Sequence, residues 1–199
     1  MSDVSLAEFE GPLKELREQC SAADGRGRQR FEEFKLWLKG VTAGLLKFVQ
    51  KVAVSATPRF VAKDVFTKAN PKVKFWGFGD NFTKHFLGKI EEGVLAGQIA
   101  VHTLLKRSLN PEIMTELGTQ QRIMKLAHFY QLIEAQGQGQ VGPLLINGYA
   151  NIAYIEDEHG NVWAVRAYWY AEYGWYVVAS SVEGPYGWLV GDQVLSQAT

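Results

Sequence analysis

Side chains that could do chemistry cluster at two places in this sequence of 199 residues. The first is a predicted strand over 161–170, whose alternating positions place Arg166 on one face together with Tyr168 and Tyr170. Arg166 is the single Lys or Arg within residues 151–199, and a guanidinium framed by tyrosines can bind a carboxylate or an aromatic ligand. The structural alternative is that Arg166 pairs across strands with Glu156 or Glu172. The predicted binding residues on this face are Arg166, Tyr168 and Tyr170.

The second place runs from Trp76 to Lys84, where an aromatic loop precedes a helix with Asp80 predicted at its N-cap. Free backbone N–H groups at a helix N-terminus can hold an anion. The alternative is an ordinary capped helix whose preceding loop tucks its aromatic side chains into the core. The predicted binding residues here are Trp76, Asp80, Asn81 and Lys84.

The sequence lacks the motifs of several other chemistries. Gly88-Lys89 would need a glycine at position 83 to form a phosphate-binding loop, and Thr83 stands there. The four histidines show no i, i+3 or i, i+4 spacing to one another, and one cysteine cannot build a thiolate site. Glu156-Asp157-Glu158 has oxygen ligands of the kind that divalent cations take, but an acidic hairpin turn is typical of solvated loop. We therefore predict no catalytic residue, no metal and no cofactor.

Composition narrows the function classes further. Hydrophobic residues make up 47% of the chain and charged residues 21%, as in an ordinary globular protein. The formal net charge is zero, so we predict no nucleic-acid partner. No stretch approaches the roughly 20 apolar residues of a membrane span, and the amino-terminal residues do not resemble a secretory signal. The single cysteine, Cys20, fits a reducing compartment, so we expect a cytoplasmic protein without membrane contact.

The spacing of apolar residues divides the chain into two parts. Up to residue 135 the pattern is helical, and its clearest run extends from Phe31 to Val52 in steps of three and four. Residues 151–199 instead hold four of the six tryptophans, six of the eight tyrosines and no phenylalanine, and the period there is two. Predicted helices lie over about 12–23, 31–52, 58–70, 81–107, 111–118 and 119–135.

A polar joint at Gln136–Gln140, predicted to be flexible, separates the two parts. Beyond it, a hairpin turn at Asn147-Gly148 and period-two segments predict an antiparallel meander of four or five strands. The predicted strands include 152–155, 161–170, 175–182 and 188–190. The predicted fold is α+β, with a helical layer from residues 5–135 packed on an antiparallel sheet from residues 144–196. We expect one structural unit over 1–199, because the apolar face of such a sheet needs covering.

Several segments resemble a family of uncharacterised bacterial proteins. They are Gly79-Asp80-Asn81-Phe82, Gly88-Lys89-Ile90-Glu91-Glu92, Leu144–Ile152, Trp163-Ala164-Val165-Arg166, Gly174-Trp175-Tyr176-Val177 and Gly187-Trp188. The resemblance covers roughly residues 72–195 and implies a bacterial origin. That family has no known activity, so the resemblance implies no catalytic residue.

Two functional hypotheses follow. The first is a non-enzymatic binding or accessory protein that contacts a protein partner through its aromatic sheet surface, because Tyr, Trp and Arg are enriched at interface hot spots. The second is a small enzyme whose polar groups converge only in three dimensions, around Asp80, His85 and Arg166. A pocket that joins those three residues would favour the enzyme. A flat exposed patch around Tyr168 and Tyr170 would favour binding.

Overall fold

The structure is a computed structural model that describes Lys14, residues 44–185 and residues 187–198. The chain divides into two compact units, Met1–Gly44 and Leu45–Thr199, and the fold described here is that of the second. Apart from Lys14, the helix predicted over 12–23 lies outside the described residues. So does the part of the predicted 31–52 helix that precedes residue 44.

The described part of the second unit consists mainly of strands. They are β1 (Leu46–Val54), β2 (Thr57–Val61), β3 (Phe75–Phe78), β4 (Ile90–Val94), β5 (Gly97–Leu104), β6 (Ile123–Met124), β7 (Asn151–Glu156), β8 (Val162–Tyr170), β9 (Gly174–Ser181) and β10 (Gln193–Gln197). Four short helices accompany them: α1 (Ala62–Val65), α2 (Asp80–Phe86), α3 (Asn110–Leu117) and α4 (Leu126–Ala135).

Eight of these strands form one mixed sheet in the order β1-β5-β10-β7-β8-β9-β3, with β6 paired to β7. The pairs β10–β7, β3–β9 and β6–β7 are parallel, and the other pairs of this sheet are antiparallel. Strands β2 and β4 form a separate antiparallel pair. The late strand β10 therefore lies inside the sheet and joins β5 to the meander β7–β8–β9.

The predicted fold class is wrong in two respects. Strands β1 to β6 lie where a helical layer over 5–135 was predicted, and the sheet is mixed instead of purely antiparallel. In β5 the chain reads Ile99-Ala-Val-His-Thr103, and such β-branched residues fit a pleated surface better than a helix. Each edge of β5 pairs with another strand, β1 or β10, and this tertiary pairing overrides the helical spacing.

Strand β1 shows the same override. Its residues continue the three-and-four spacing that begins at Phe31, yet Leu46–Val54 pairs with β5 along its whole length. A bulge between Phe48 and Gln50 shifts the register, so the apolar positions no longer alternate regularly. Within β1 only Val54 is buried, at 5% exposure, whereas Phe48 is 53% exposed.

The mixed sheet is covered on both faces. On one face, Phe82 of α2 and Phe129 of α4 belong to a core that includes Val165 and Trp175, and all four side chains are fully buried. On the other face, Ile113 of α3 belongs to a second core built on alternate sheet positions. Each fully buried aromatic side chain stabilises the fold by roughly 1.5–3 kcal/mol. No helix among the described residues has both the length and the apolar character needed to cross a bilayer.

Three strands of the predicted meander are correct, but the prediction of four or five successive antiparallel strands is wrong. Strands β7, β8 and β9 match the predicted strands over 152–155, 161–170 and 175–182 within one residue at each end. The predicted strand over 188–190 contributes only an isolated bridge between Trp188 and Ser108. Residues 144–150 form a loop, so Asn147-Gly148 does not join two strands.

The segment Gln136–Gln140 is a packed connector rather than a flexible joint. Gln136 is 1% exposed, and its side-chain oxygen accepts a hydrogen bond from the Leu144 backbone N–H at 2.6 Å. Its main-chain oxygen accepts one from the Trp175 indole at 2.9 Å. Gly139 has a φ of +73°, and a Cβ at that position would meet the Trp169 indole. Only glycine combines this φ with so close an approach.

The packing at Gly139 predicts a large effect of Gly139→Ala compared with Gly93→Ala. Both glycines have positive φ, but nothing lies within 4 Å of a Cβ at Gly93. Gly93→Ala should cost about 1 kcal/mol of backbone strain, whereas Gly139→Ala should lose roughly 2–4 kcal/mol because the indole must also move. Urea unfolding of the two variants measures the difference. Equal losses would show that the connector is loose.

Candidate functional site

A pocket of about 510 Å³ opens on the face of the sheet that carries α3. Strands β8 and β9 supply its floor, and the segments before β7 and before β10 supply its rim. The lining residues are Asn110, Asn147, Gly148, Tyr149, Arg166, Tyr168, Ser180, Ser181, Gly184, Gly187, Trp188, Leu189 and Asp192. Its volume falls in the range of small-molecule sites, roughly 300–1,000 Å³.

Arg166 lies on the floor of this pocket and is held by neutral groups. Its Nη1 donates a hydrogen bond to Ser180 Oγ at 2.7 Å. The guanidinium carbon lies 5.2 Å from the centre of the Trp188 ring and 5.8 Å from that of Tyr168, so the cation rests against two aromatic faces.

The charge of Arg166 is not neutralised by a described side chain. In the described part of the chain no carboxylate forms an ion pair with it, so the cross-strand pair with Glu156 or Glu172 does not exist. Its Nε is buried and has no hydrogen-bond partner among the described residues. A buried donor without a partner costs free energy of folding, about 1–3 kcal/mol. Arg166 is therefore a good anchor for an anion.

The wall of the pocket at Trp188 is fixed by a buried amide. Trp188 is 8% exposed, and its indole N–H donates to Asn110 Oδ1 at 2.7 Å. The Tyr154 hydroxyl donates to the same oxygen at 3.1 Å. Burial raises the pKa of Tyr154, and a hydrogen bond with Trp188 lowers it by a smaller amount. The tyrosine therefore stays protonated and keeps donating, which holds the indole in place behind Arg166.

Asp192 fixes the rim of the pocket. It is 5% exposed, and its two carboxylate oxygens accept hydrogen bonds from the backbone N–H groups of Ala150 at 2.9 Å and Leu189 at 2.8 Å. Burial is the main reason why the pKa of Tyr168 is raised. The positive charge of Arg166 lowers that pKa, and the negative charge of Asp192 raises it. Both charges therefore act on Tyr168, although they do not pair with each other. Among the residues that the structure describes, the pocket thus holds one cation and one anion, which do not pair with each other.

A cluster of exposed and half-buried rings continues from the pocket along the same face. Trp76 stacks on Tyr173 with the ring centres 5.3 Å apart and contacts Tyr170 at 5.1 Å and Tyr176 at 4.9 Å. We call these four residues the aromatic patch. Tyr168 connects the patch to the pocket, since its ring lies 6.3 Å from that of Tyr170. The predicted residues Trp76, Arg166, Tyr168 and Tyr170 thus lie on one continuous surface.

The remaining predicted residues of the 76–84 segment lie elsewhere. Asp80 is the first residue of α2 and not its N-cap, which is Gly79 without a side-chain cap. The Asn81 side chain donates to the Ala179 carbonyl at 3.3 Å. Ala179 lies on β9, past the last residue of that strand that pairs with β3. Lys84 is exposed on α2. None of these three lines the pocket, so the two predicted sites meet only through Trp76.

The three residues of the enzyme hypothesis are not brought together. His85 packs on Trp163 with the ring centres 4.4 Å apart, and its Nδ1 lies 3.6 Å from the Asp157 carboxylate. Trp163 and Arg166 differ by an odd number of positions along β8, so their side chains leave opposite faces of the sheet. The pocket contains Arg166 without Asp80 or His85.

The acidic turn before β8 contains a buried carboxylate. Asp157 is 2% exposed and accepts hydrogen bonds from the Trp163 indole at 3.0 Å and from the backbone N–H groups of His159 at 2.8 Å and Asn161 at 2.9 Å. Hydrogen bonds that an aspartate accepts from the backbone N–H groups of the residues that follow it are typical of an Asx turn. No group of three or more His, Cys, Asp or Glu residues in the described ranges could hold a metal ion.

Sequence reasoning did not find Asn110, Ser180, Trp188 and Asp192 as site residues. Ser180 could have been found from the register, since it is opposite Ala164 and so shares a face with Arg166. The other three come from segments that reach the pocket only after the sheet has closed, and no local pattern marks them.

No family model, curated protein or solved structure matches this chain. The resemblance to uncharacterised bacterial proteins therefore stays an expectation. The function has to be inferred from the geometry of the site.

The bonds at Asp157 predict a specific loss of stability in acid. Burial alone would raise the pKa of Asp157, but hydrogen bonds from Asn161, Trp163 and His159 outweigh it and lower that pKa from 3.8 to about 2. A lowered pKa stabilises the folded state above pH 3.8, and this stability is lost as the pH falls toward 2. Because a difference of one pKa unit corresponds to about 1.4 kcal/mol, we expect a loss of about 2 kcal/mol.

Urea unfolding from about pH 5 down to about pH 2, the range in which the carboxylate is protonated, measures this loss. Asp157→Asn should flatten the decline, whereas Asp64→Asn, at an exposed position, should leave it as in the wild type. An unchanged decline in Asp157→Asn would contradict the assignment.

Proposed function

We propose that this protein is a non-enzymatic binding protein that acts through the aromatic face of its sheet, with the Arg166 pocket as the centre of recognition. The observation that supports this best is the state of Arg166. Its guanidinium faces an open pocket, is held by Ser180 and two rings, and has no carboxylate partner among the described residues.

The aromatic patch supports the same proposal. Trp76, Tyr170 and Tyr173 are 43%, 38% and 53% exposed, so large apolar rings face solvent next to the pocket. Tyr, Trp and Arg dominate the hot spots of protein interfaces because they combine a large contact area with polar groups. A protein partner would bury these rings and place one of its groups in the pocket.

The polar groups of the pocket favour binding over catalysis. The Asp192 carboxylate accepts two backbone N–H groups, and Asn110 Oδ1 accepts two side-chain donors. A general acid or base must be within hydrogen-bond reach of the substrate and able to exchange a proton with it. These groups are already used in fixing the walls. The trio Asp80, His85 and Arg166 is dispersed over the two faces of the sheet, so no observation favours the enzyme hypothesis.

The proposal predicts that Arg166→Met changes binding more than stability. Methionine keeps the apolar stem that packs on Trp188 and removes a partly buried charge whose Nε has no partner. We therefore expect the free energy of unfolding to stay within about 0.5 kcal/mol of the wild type. A loss of roughly 3–5 kcal/mol would show a structural ion pair and contradict the proposal. Thermal and urea unfolding provide the measurement.

The aromatic patch predicts a difference between two matched variants. Tyr173 and Phe48 are both 53% exposed, but only Tyr173 belongs to the patch. Tyr173→Ser should weaken the binding of a protein partner by about 2 kcal/mol, or about 30-fold, and Phe48→Ser should not.

Affinity purification from the native host, followed by titration of the captured partner, measures both affinities. Equal binding by Tyr173→Ser and the wild type would remove the patch from the proposed interface.

A further inference from the structure

We infer that the Arg166 pocket takes a carboxylate group and discriminates against phosphate. This inference rests on the proposed binding function and specifies its ligand. The carboxylate can belong to a small molecule or to the end of a polypeptide chain, because the same group is presented in both cases. The charges, the hydrogen-bond donors and the apolar rim each support this ligand class.

The charges in the pocket suit a single negative charge. Arg166 supplies one cation that no described carboxylate neutralises. Asp192 is the other charged residue among the described residues that line the pocket, and it is negative. A monoanion at Arg166 completes one ion pair, whereas a phosphate dianion brings a second negative charge toward Asp192. Like charges in a partly buried site disfavour each other, so the carboxylate is preferred.

The donors in the pocket match the shape of a carboxylate. A guanidinium presents its N–H groups as a planar fork that fits the two oxygens of a carboxylate. Ser180 Oγ accepts one N–H of Arg166, so its own hydrogen is available to donate. No described group accepts that hydrogen. The serine hydroxyl beside the guanidinium therefore offers a second donor to the same anion.

The rim of the pocket provides room for an apolar body attached to the carboxylate. Tyr149 and Leu189 line the pocket and are 43% and 56% exposed. Ligand pockets are lined mainly by apolar and aromatic groups, and a few polar groups fix the orientation. A ligand with its carboxylate on Arg166 and an aromatic or aliphatic body against Tyr149 and Leu189 would bury both rim side chains.

Calorimetric titration of the full chain with matched probes tests the inference. The small-molecule probes are 3-phenylpropionate, 3-phenylpropanamide and inorganic phosphate. The peptide probes are an acetylated tripeptide ending in phenylalanine with a free carboxylate and the same peptide amidated. We expect each carboxylate to bind at least about tenfold more tightly than its amide and more tightly than phosphate. The two arms show which source of carboxylate the pocket prefers.

Variants locate the effect in the pocket. Arg166→Met should abolish the preference for carboxylate over amide, and Ser180→Ala should reduce it about threefold to tenfold. Arg59→Met, which removes an exposed arginine paired with Glu92, should leave the preference intact. The indole N–H signal of Trp188 in NMR spectra should shift on addition of the carboxylate to the wild type.

Two kinds of failure are distinguishable. The carboxylate inference would be overturned if phosphate bound more tightly than the carboxylates. It would also be overturned if acid and amide bound equally tightly and shifted the Trp188 signal. In both cases the pocket would still be a binding site. Absence of binding by every carboxylate probe would also overturn the inference. A large loss of stability in Arg166→Met would instead contradict the proposed function itself.

Discussion

The structure depends on the insertion of β10 between β5 and β7. Val194 and Leu195 are fully buried and point to opposite cores, so this strand seals both faces of the sheet. It pairs antiparallel with β5 and in parallel with β7. Asp192, immediately before it, accepts two backbone N–H groups at the rim of the pocket. The strand that completes the sheet is therefore directly preceded by the residue that fixes the rim of the pocket.

Local pattern and tertiary pairing explain which elements could be predicted. Strands β7, β8 and β9 are sequential neighbours joined by short turns, so their antiparallel pairing and the buried face of β8 around Val165 and Ala167 follow from the sequence. Strand β10 pairs with segments about a hundred and about forty residues away, and no short window contains that information. In β4 and β5, apolar residues at helical spacing concealed strands that are stabilised by remote partners.

The same distinction applies to the site. Arg166 and Tyr168 share a face because they are two residues apart on β8, which the sequence shows directly. Asn110 and Trp188 meet through a hydrogen bond across 78 positions of the chain, and only the closed fold creates it. The sequence therefore indicated the cation and one aromatic neighbour, but not the pocket that encloses them. One hypothesis from the sequence grouped Asp80 and His85 with Arg166. Alternation along β8 contradicts it, because His85 packs on Trp163, whose side chain leaves the sheet on the face opposite to that of Arg166.

The central position of β10 also has a kinetic consequence. Until residues 193–197 have docked, the edge of β5 that faces β7 has no strand to pair with, and the facing edge of β7 is paired only at Tyr154 and Ile155, by β6. Sheets that depend on contacts between distant segments fold slowly, because the entropy of loop closure is lost before the contacts form. Unpaired edges are also templates for association with other chains. We therefore expect refolding yield to fall as protein concentration rises, and a ligand that holds the rim closed should protect the chain during this step.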